Sequence, residues 1–321
     1  MEKVIEVKPR LAVVVGDPTG IGPEILARAL ARAEVTAAFT PVVVGDARIV
    51  ARGAALAGTA VPLAIEIVDL AHCPPEDVAL GAALPRAGRA AGQALERAFA
   101  MAARGDVAGV CYAPLHKRSL HDGGYPFEDE LRMFAHWTGS ADVGEINALE
   151  RLWTSRVTSH VGLARVAAEL SVDRVVRAVR LIDRAQRAAG WPRPRIAVAA
   201  FNPHGGEQGL FGDEEPRVIE PAVDQARDEG LDARGPIPAD TVFVRARAGE
   251  FDAVVTMYQD QGQIAMKLLG FERDVTLAAG LPFPVTTPAH GTAHAIAAKG
   301  VAHPGAMIAA LKLAAQMATG A

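Results

Sequence analysis

The chain has only two cysteines in 321 residues, Cys73 and Cys111, and no CxxC pair. That excludes a disulfide framework and a thiolate metal site. Cys111 sits inside the apolar run VAGVCYA and reads as a small buried hydrophobe, not a nucleophile. Aromatic residues are scarce at 5%, and no apolar run reaches the length of a membrane span. An excess of basic residues is missing too: 33 Lys and Arg stand against 37 Asp and Glu, a formal charge of -4. The concentrated basic face of a nucleic-acid binder is therefore absent. The nearest approach, Arg174, Arg177, Arg180, Arg184 and Arg187, recurs every three or four residues and reads as the solvated stripe of one amphipathic helix. The start, MEKVIEVKPRLAVVVG, carries no signal-peptide cleavage pattern. Together these absences predict a cytoplasmic protein with neither nucleic acid nor membrane as partner.

What is present is alanine and short apolar runs. Half of the residues are apolar, which suits closely packed helices around a sheet, and the length favours two domains over one core. LAVVV at 11–15, TPVVVG at 40–45, LAIEIVD at 63–69 and VAGVCYA at 107–113 read as strands, with helices from Glu24 to Ala31 and over 91–103. Alternating strands and helices predict a largely parallel α/β sheet covered on both faces. A polar stretch, PLHKRSLHDGGYPFEDE at 114–130, interrupts the alternation. A second module then follows: RLWTSRVTS at 151–159, RIAVAAF at 195–201, DAVVTMY at 252–258 and PFPVTTP at 282–288 are strand-like. Residues 171–189 form a long helix with Ser171 as N-cap and Gly190 as stop, and 220–230 forms another. The closing helices after His290 are expected to pack on the opening sheet. The first domain is then discontinuous, 1–130 plus 290–321, around a second, dimerising domain at 131–289.

Three strand-like runs end directly in polar residues: Ser159-His160, Asn202-Pro203-His204 and Gln259-Asp260-Gln261. Strand ends of a doubly wound sheet converge on one crevice. Two imidazoles there suit zinc or another first-row divalent ion, and Asp260 can add a carboxylate. Lys267, among apolar neighbours in QIAMKLLGF, is either a desolvated acid–base group or a lysine snorkelling from a helix surface. GDPTGIGPE fits neither GxGxxG nor a P-loop, but offers backbone amides at a helix start. GLPFPV at 280–285 and AHGTAH at 289–294 supply flexible backbone and His290, able to hold a phosphate or ribose or to form a structural turn.

In order along the chain, GDPTGIGPE, APLHKRSLHDGG, NPHGGEQGLFG, IPAD, YQDQG, Lys267, GLPF and HGTA resemble the 4-hydroxythreonine-4-phosphate dehydrogenase family over nearly the whole length. The resemblance implies an isocitrate/isopropylmalate dehydrogenase-like two-domain fold with the active site in the interdomain cleft, a homodimer, NAD or NADP, and a divalent metal (Zn, Mg, Mn or Co). It implies metal ligation by His160 and His204, with Gln259 where the family has a third histidine, so that metal is weakened or lost. It implies Lys267 as proton acceptor or hydroxyl partner beside Asp260, and Gly280, Leu281, His290, Gly291 and Thr292 on the cofactor side.

The substrate side departs from the family pattern. Glu130 and Leu131 stand in for its substrate-contacting histidine and threonine, and Thr276 and Val285 for its phosphate-holding asparagine and arginine. Losing a donor fork and gaining an acid disfavours a phosphate dianion. The chain is accordingly expected to resemble more closely the branch that oxidises carboxylated cis-dihydrodiols, as the terephthalate dihydrodiol dehydrogenase does. The expected function is NAD(P)-dependent oxidation, with decarboxylation, of an unphosphorylated hydroxy or dihydrodiol carboxylate. The alternatives are a phosphorylated hydroxy acid such as 4-phosphohydroxy-threonine or 4-phosphothreonate, a metal-independent enzyme pairing Glu130 with Lys267, or an inactive ligand-binding homologue.

Overall fold

The computed structural model describes residues 8–60 and 65–320. Residues 1–7 of the opening segment, and residues 63 and 64 of the strand expected at 63–69, lie outside them. In chain order the strands are β1 (Arg10–Val14), β2 (Thr40–Gly45), β3 (Glu66–Asp69), β4 (Gly109–Tyr112), β5 (Gly144–Leu149), β6 (Leu152–Arg156), β7 (Arg195–Ala199), β8 (Asp232–Ile237), β9 (Ala253–Thr256), β10 (Val275–Ala279) and β11 (Val285–Pro288). Two compact units form: Met1–Ala141 with Leu281–Ala321, and Asp142–Gly280.

In the first unit the strands run β3-β2-β1-β4-β11, all parallel. Leu11 to Val14 and Val42 to Val44 are fully buried, as strands covered on both faces must be. Helix Gly305–Thr319 packs on β4 and β11, so the chain's last helix closes its first sheet. Helix Pro85–Ala103 carries Gly88 and Gly92 where helix Lys117–Asp122 and the Tyr125 ring come close. A Cβ on Gly88 would fall 1.8 Å from the Ser119 carbonyl oxygen. The expected boundaries at 130 and 289 differ from those observed. Helix Glu130–Thr138 stays with the first unit because Phe134 stacks on Phe99 at 4.6 Å, and β11 pairs with β4. Cys111 lies on β4 with no exposed surface, and burial pushes its thiol up to about 12, which leaves it unreactive.

The second unit has the order β10-β5-β6-β9-β7-β8. Its β6, β9, β7 and β8 are parallel, whereas β10, β5 and β6 are antiparallel. That antiparallel edge departs from the largely parallel sheet the sequence suggests. Its cause is local: Leu149 pairs with Leu152, so Glu150 and Arg151 are the whole connection and only a hairpin can result. Helix Val172–Ala188 starts at Ser171, whose hydroxyl accepts from the Arg174 amide, and Gly190 takes a positive φ just beyond its end. Its arginine stripe is ion-paired: Arg174 with Glu169, Arg177 and Arg184 with Asp142, Arg180 with Glu229, Arg187 with Asp183. Among the described residues no helix is long and apolar enough to cross a membrane.

Candidate active site

Three adjacent strands of the second unit, β6, β9 and β7, lead into the polar segments at 159–160, 259–261 and 202–204. Cross-links tie their ends together. The Thr158 hydroxyl donates to the Met257 carbonyl at 2.8 Å, Gln261 Nε2 donates to the Ala200 carbonyl at 2.8 Å, and Gln261 Oε1 accepts from the Met257 amide at 2.7 Å. Gln259 Oε1 accepts from the Ser159 hydroxyl at 3.3 Å and the His160 amide at 3.4 Å, so the structure brings Gln259 and His160 together. His160 and His204 are both exposed, and both hold φ near 55°. Such left-handed geometry costs energy in a non-glycine residue and has to be held by its surroundings. Just before His204 the backbone is held by Glu215, a residue that no sequence pattern singles out. Its buried Oε1 accepts from the Phe201 and Asn202 amides and its Oε2 from Asn202 Nδ2. Asp260 is exposed in the first turn of helix Gln259–Gly270.

Lys267, further along that helix, has its side chain 32% exposed and donates from Nζ to Asp274 Oδ2 at 3.1 Å. Asp274 is fully buried, and burial pushes its carboxyl above the usual range against the pull of Lys267. Asn147 Nδ2 approaches both Asp274 oxygens, at 3.4 and 3.5 Å, and the Thr276 hydroxyl at 3.5 Å. Asn147 Oδ1 accepts from Gln263 and, at 3.0 Å, from Arg156, which also pairs with Glu145 and reaches the Ser159 hydroxyl at 3.3 Å. One polar chain thus links Lys267 to the loop that carries His160. Sequence reasoning missed Asn147, Arg156, Gln263 and Asp274. Lys267 is neither desolvated alone nor snorkelling freely; it is held by a carboxylate.

A second cluster lies in the first unit at the ends of β1 and β4. Asp17 is fully buried; its Oδ1 accepts from the Thr19 amide at 2.8 Å and the Thr19 hydroxyl at 2.6 Å, while Oδ2 has no protein partner among the described residues. The Thr19 hydroxyl spends its one proton on Asp17, so at 3.2 Å from His294 Nε2 it can only accept, which puts the His294 proton on Nε2. The His116 ring stacks on His294 at 5.0 Å, with Nδ1 accepting from the Ser119 amide. Burial, then His116, lowers the His294 pKa against the pull of Asp17. Both motifs, GDPTG and HGTAH, were visible in the sequence, but not their meeting.

Glu130 opens helix Glu130–Thr138, 3.7 Å from Lys117, with Leu131 beside it. Thr276 lies on β10, and Val285 is fully buried on β11. Gly280 has a positive φ and stands against the Asp142 carbonyl, where a Cβ would come within 1.9 Å. Leu281 is half-buried. His290 lies in a bend with its Nδ1 3.0 Å from the Gly291 carbonyl oxygen, and the buried Thr292 accepts from the Ile21 amide through its carbonyl. Among the described residues no three His, Cys, Asp or Glu side chains gather into a metal-binding group.

Ionisable clusters at the strand ends of an α/β sheet mark a ligand site, and whole-chain comparison says to which family it belongs. The family described as pyridoxal phosphate biosynthetic protein PdxA matches residues 37–314. A 4-hydroxythreonine-4-phosphate dehydrogenase of Beijerinckia indica is 42% identical, covering 91% of this chain and 90% of that protein. The D-threonate 4-phosphate dehydrogenase of Salmonella typhimurium is 39% identical, covering 96% of this chain and 98% of that protein. The crystal structure of 4-hydroxythreonine-4-phosphate dehydrogenase from Klebsiella pneumoniae superposes with a TM-score of 0.86 at 38% identity, covering 99% and 100% of the two chains. This chain belongs to the PdxA family, and it is a dehydrogenase with that family's α/β fold.

The same comparisons correct the expected substrate. The relatives named above act on phosphorylated compounds, which overturns the reading of an unphosphorylated hydroxy or dihydrodiol carboxylate. The closer tie to the dihydrodiol branch is not confirmed either: terephthalate 1,2-cis-dihydrodiol dehydrogenase from Burkholderia xenovorans reaches a TM-score of 0.68 at 30% identity. Glu130, Leu131, Thr276 and Val285 do not by themselves end phosphate binding. Backbone amides and other cations hold a dianion as well as one arginine does.

Proposed function

We propose that this chain oxidises the secondary alcohol of a small hydroxy acid bearing a terminal phosphate, such as D-threonate 4-phosphate or 4-hydroxythreonine 4-phosphate, with NAD or NADP as acceptor. The observation that carries this is likeness over 96% and 91% of the chain, at 39% and 42% identity, to dehydrogenases named for those substrates. Lys267 is the hydroxyl partner. The pairing with Asp274 keeps its amino group in place beside the substrate's alcohol. The glycine-containing turns at 280–281 and 290–292 form the cofactor side, where small residues let a nicotinamide dinucleotide approach the backbone.

His160, His204 and Gln259 fit a first-row divalent ion by donor chemistry: two imidazoles presented from exposed loops, with an amide oxygen beside the first. An ion held there would supply a Lewis acid able to polarise the substrate hydroxyl. Gln259 Oε1 already accepts two hydrogen bonds, which makes it a weaker donor to metal than an imidazole. We further infer a homodimer formed through the second unit, because Ile264, Leu268 and Phe271 leave an apolar stripe exposed along helix Gln259–Gly270 and just past its end.

The test is reduced-nicotinamide formation on matched phosphorylated and dephosphorylated hydroxy acids, with and without divalent metal. The phosphorylated member should win in kcat/KM by about 100-fold, the worth of a few charge-assisted hydrogen bonds. Equal rates on both members would refute the assignment.

A further inference from the structure

The Lys267 pair poses a chemical difficulty. A lysine held against a carboxylate stays an ammonium, and an ammonium has no lone pair with which to receive a proton. Yet the oxidation of an alcohol releases one. Asp274 resolves this. Its carboxylate is fully buried, lies 3.1 Å from Lys267 Nζ, and is bounded by Asn147 on the other side. A fully buried acid tied to one partly exposed cation is a costly arrangement for structure alone. Asparagine at 274 would fill the same space and accept the same hydrogen bond.

We propose that Asp274 is the positioning residue of Lys267 and the store for its proton. This rests on the reading of the site as one that oxidises a substrate hydroxyl. As the substrate O–H bond breaks, a new N–H bond forms at Lys267 Nζ. The N–H bond directed at Asp274 breaks, and an O–H bond forms at Oδ2. The carbinol hydrogen and its electron pair leave to the nicotinamide cofactor, which is reduced while the alcohol becomes a carbonyl. Lys267 begins and ends as an ammonium, and Asp274 ends neutral until the proton returns to solvent through Lys267. Asn147 keeps the carboxyl aligned, itself fixed by Gln263 and Arg156. The charged groups around Asp274 are Lys267 on the helix, Arg156 at the end of β6 with Glu145 on β5 paired to it, and its sequence neighbour Arg273, which is paired with Glu150.

Two measurements test this on the full-length enzyme. Asp274→Asn should lower kcat by about 100-fold with KM within about threefold, because the amide positions Lys267 but takes no proton, and Asp274→Glu should recover part of the loss. Unchanged kcat, or a rise in KM alone, would overturn the proposal. The second measurement needs no change at 274: the side-chain carboxyl 13C resonance of Asp274 is titrated in wild type and in Lys267→Met. Loss of the ammonium should move the Asp274 titration to higher pH, and an unmoved titration would equally overturn the proposal. A wild type inactive on every phosphorylated hydroxy acid would instead count against the substrate assignment, and the titration would still decide whether the two groups are coupled.

Discussion

Single side chains in this protein do more than fill space where they replace water at a buried backbone amide. Asp46 is the example in the first unit. It caps helix Ala47–Ala57, accepting from the Arg48 amide at 3.0 Å and the Cys73 amide at 2.8 Å, while the Arg48 guanidinium holds its carboxyl well below the usual carboxylate range. Because the folded state makes this acid stronger, its contribution is present above the unfolded pKa and is lost as pH falls through the lower folded value. Asp46→Ala should therefore cost about 1 to 2 kcal/mol near neutral pH, and the gap from wild type should narrow in strong acid. Urea titrations at neutral and acidic pH measure both. At this scale the sequence is a poor guide: Asp46, Asp274 and Asn147 are ordinary polar residues until folding brings Cys73 to the first and joins the other two.

Elements were more readable. The runs at 11–15, 40–45, 107–113, 195–201 and 252–258 each contain a strand, and Ser171 begins the long helix, because a fully apolar run or a capped 3.6-residue period is a local signal. β5, β8 and β10 escaped it. β5 interrupts its apolar pattern with Asn147, β8 contains Gly235 and Pro236, and β10 interrupts its own with Thr276. The clusters at 159–160, 202–204 and 259–261 were visible because they follow strands. The network around Asp274 was not, since it depends on β5 and β10 lying side by side. Helix packing is equally hidden. Gly88 reads as a weak point in a helix, yet it is what lets helix Pro85–Ala103 meet Ser119. Gly88→Ala should improve helix propensity and still destabilise the protein by about 2 kcal/mol, since its Cβ meets backbone that cannot yield. A lowered urea midpoint checks this, and a raised one would mean that segment 117–122 moves aside.

At the scale of the whole molecule, family and chemistry class came from the order of many weak motifs along the chain. The substrate was misjudged from four positions, 130, 131, 276 and 285. The inferred homodimer is open to a direct test. Leu268 is 84% exposed and Ile264 62% on the same face of their helix. Leu268→Glu places a charge in that stripe and leaves the monomer fold untouched. Light scattering after gel filtration should show twice the chain mass for wild type and the single mass for the variant. A wild type that runs as a single chain at every concentration would exclude the interface.

The division of the first unit into two stretches, with β4 ending at Tyr112 and its neighbour β11 beginning at Val285, sets the order in which the protein can be born. Chains leave the ribosome from the amino end, so residues 142–280 are complete, with every strand of their own sheet, before β11 exists. Until then the edge of β4, including Val110 and Cys111, has no partner on one side and presents open backbone to any passing strand. Synthesis that stalls between residues 280 and 284 would leave one unit finished and the other with an exposed adhesive edge. Quality control in the cell would then face a half-built molecule whose later-made portion is the sound one.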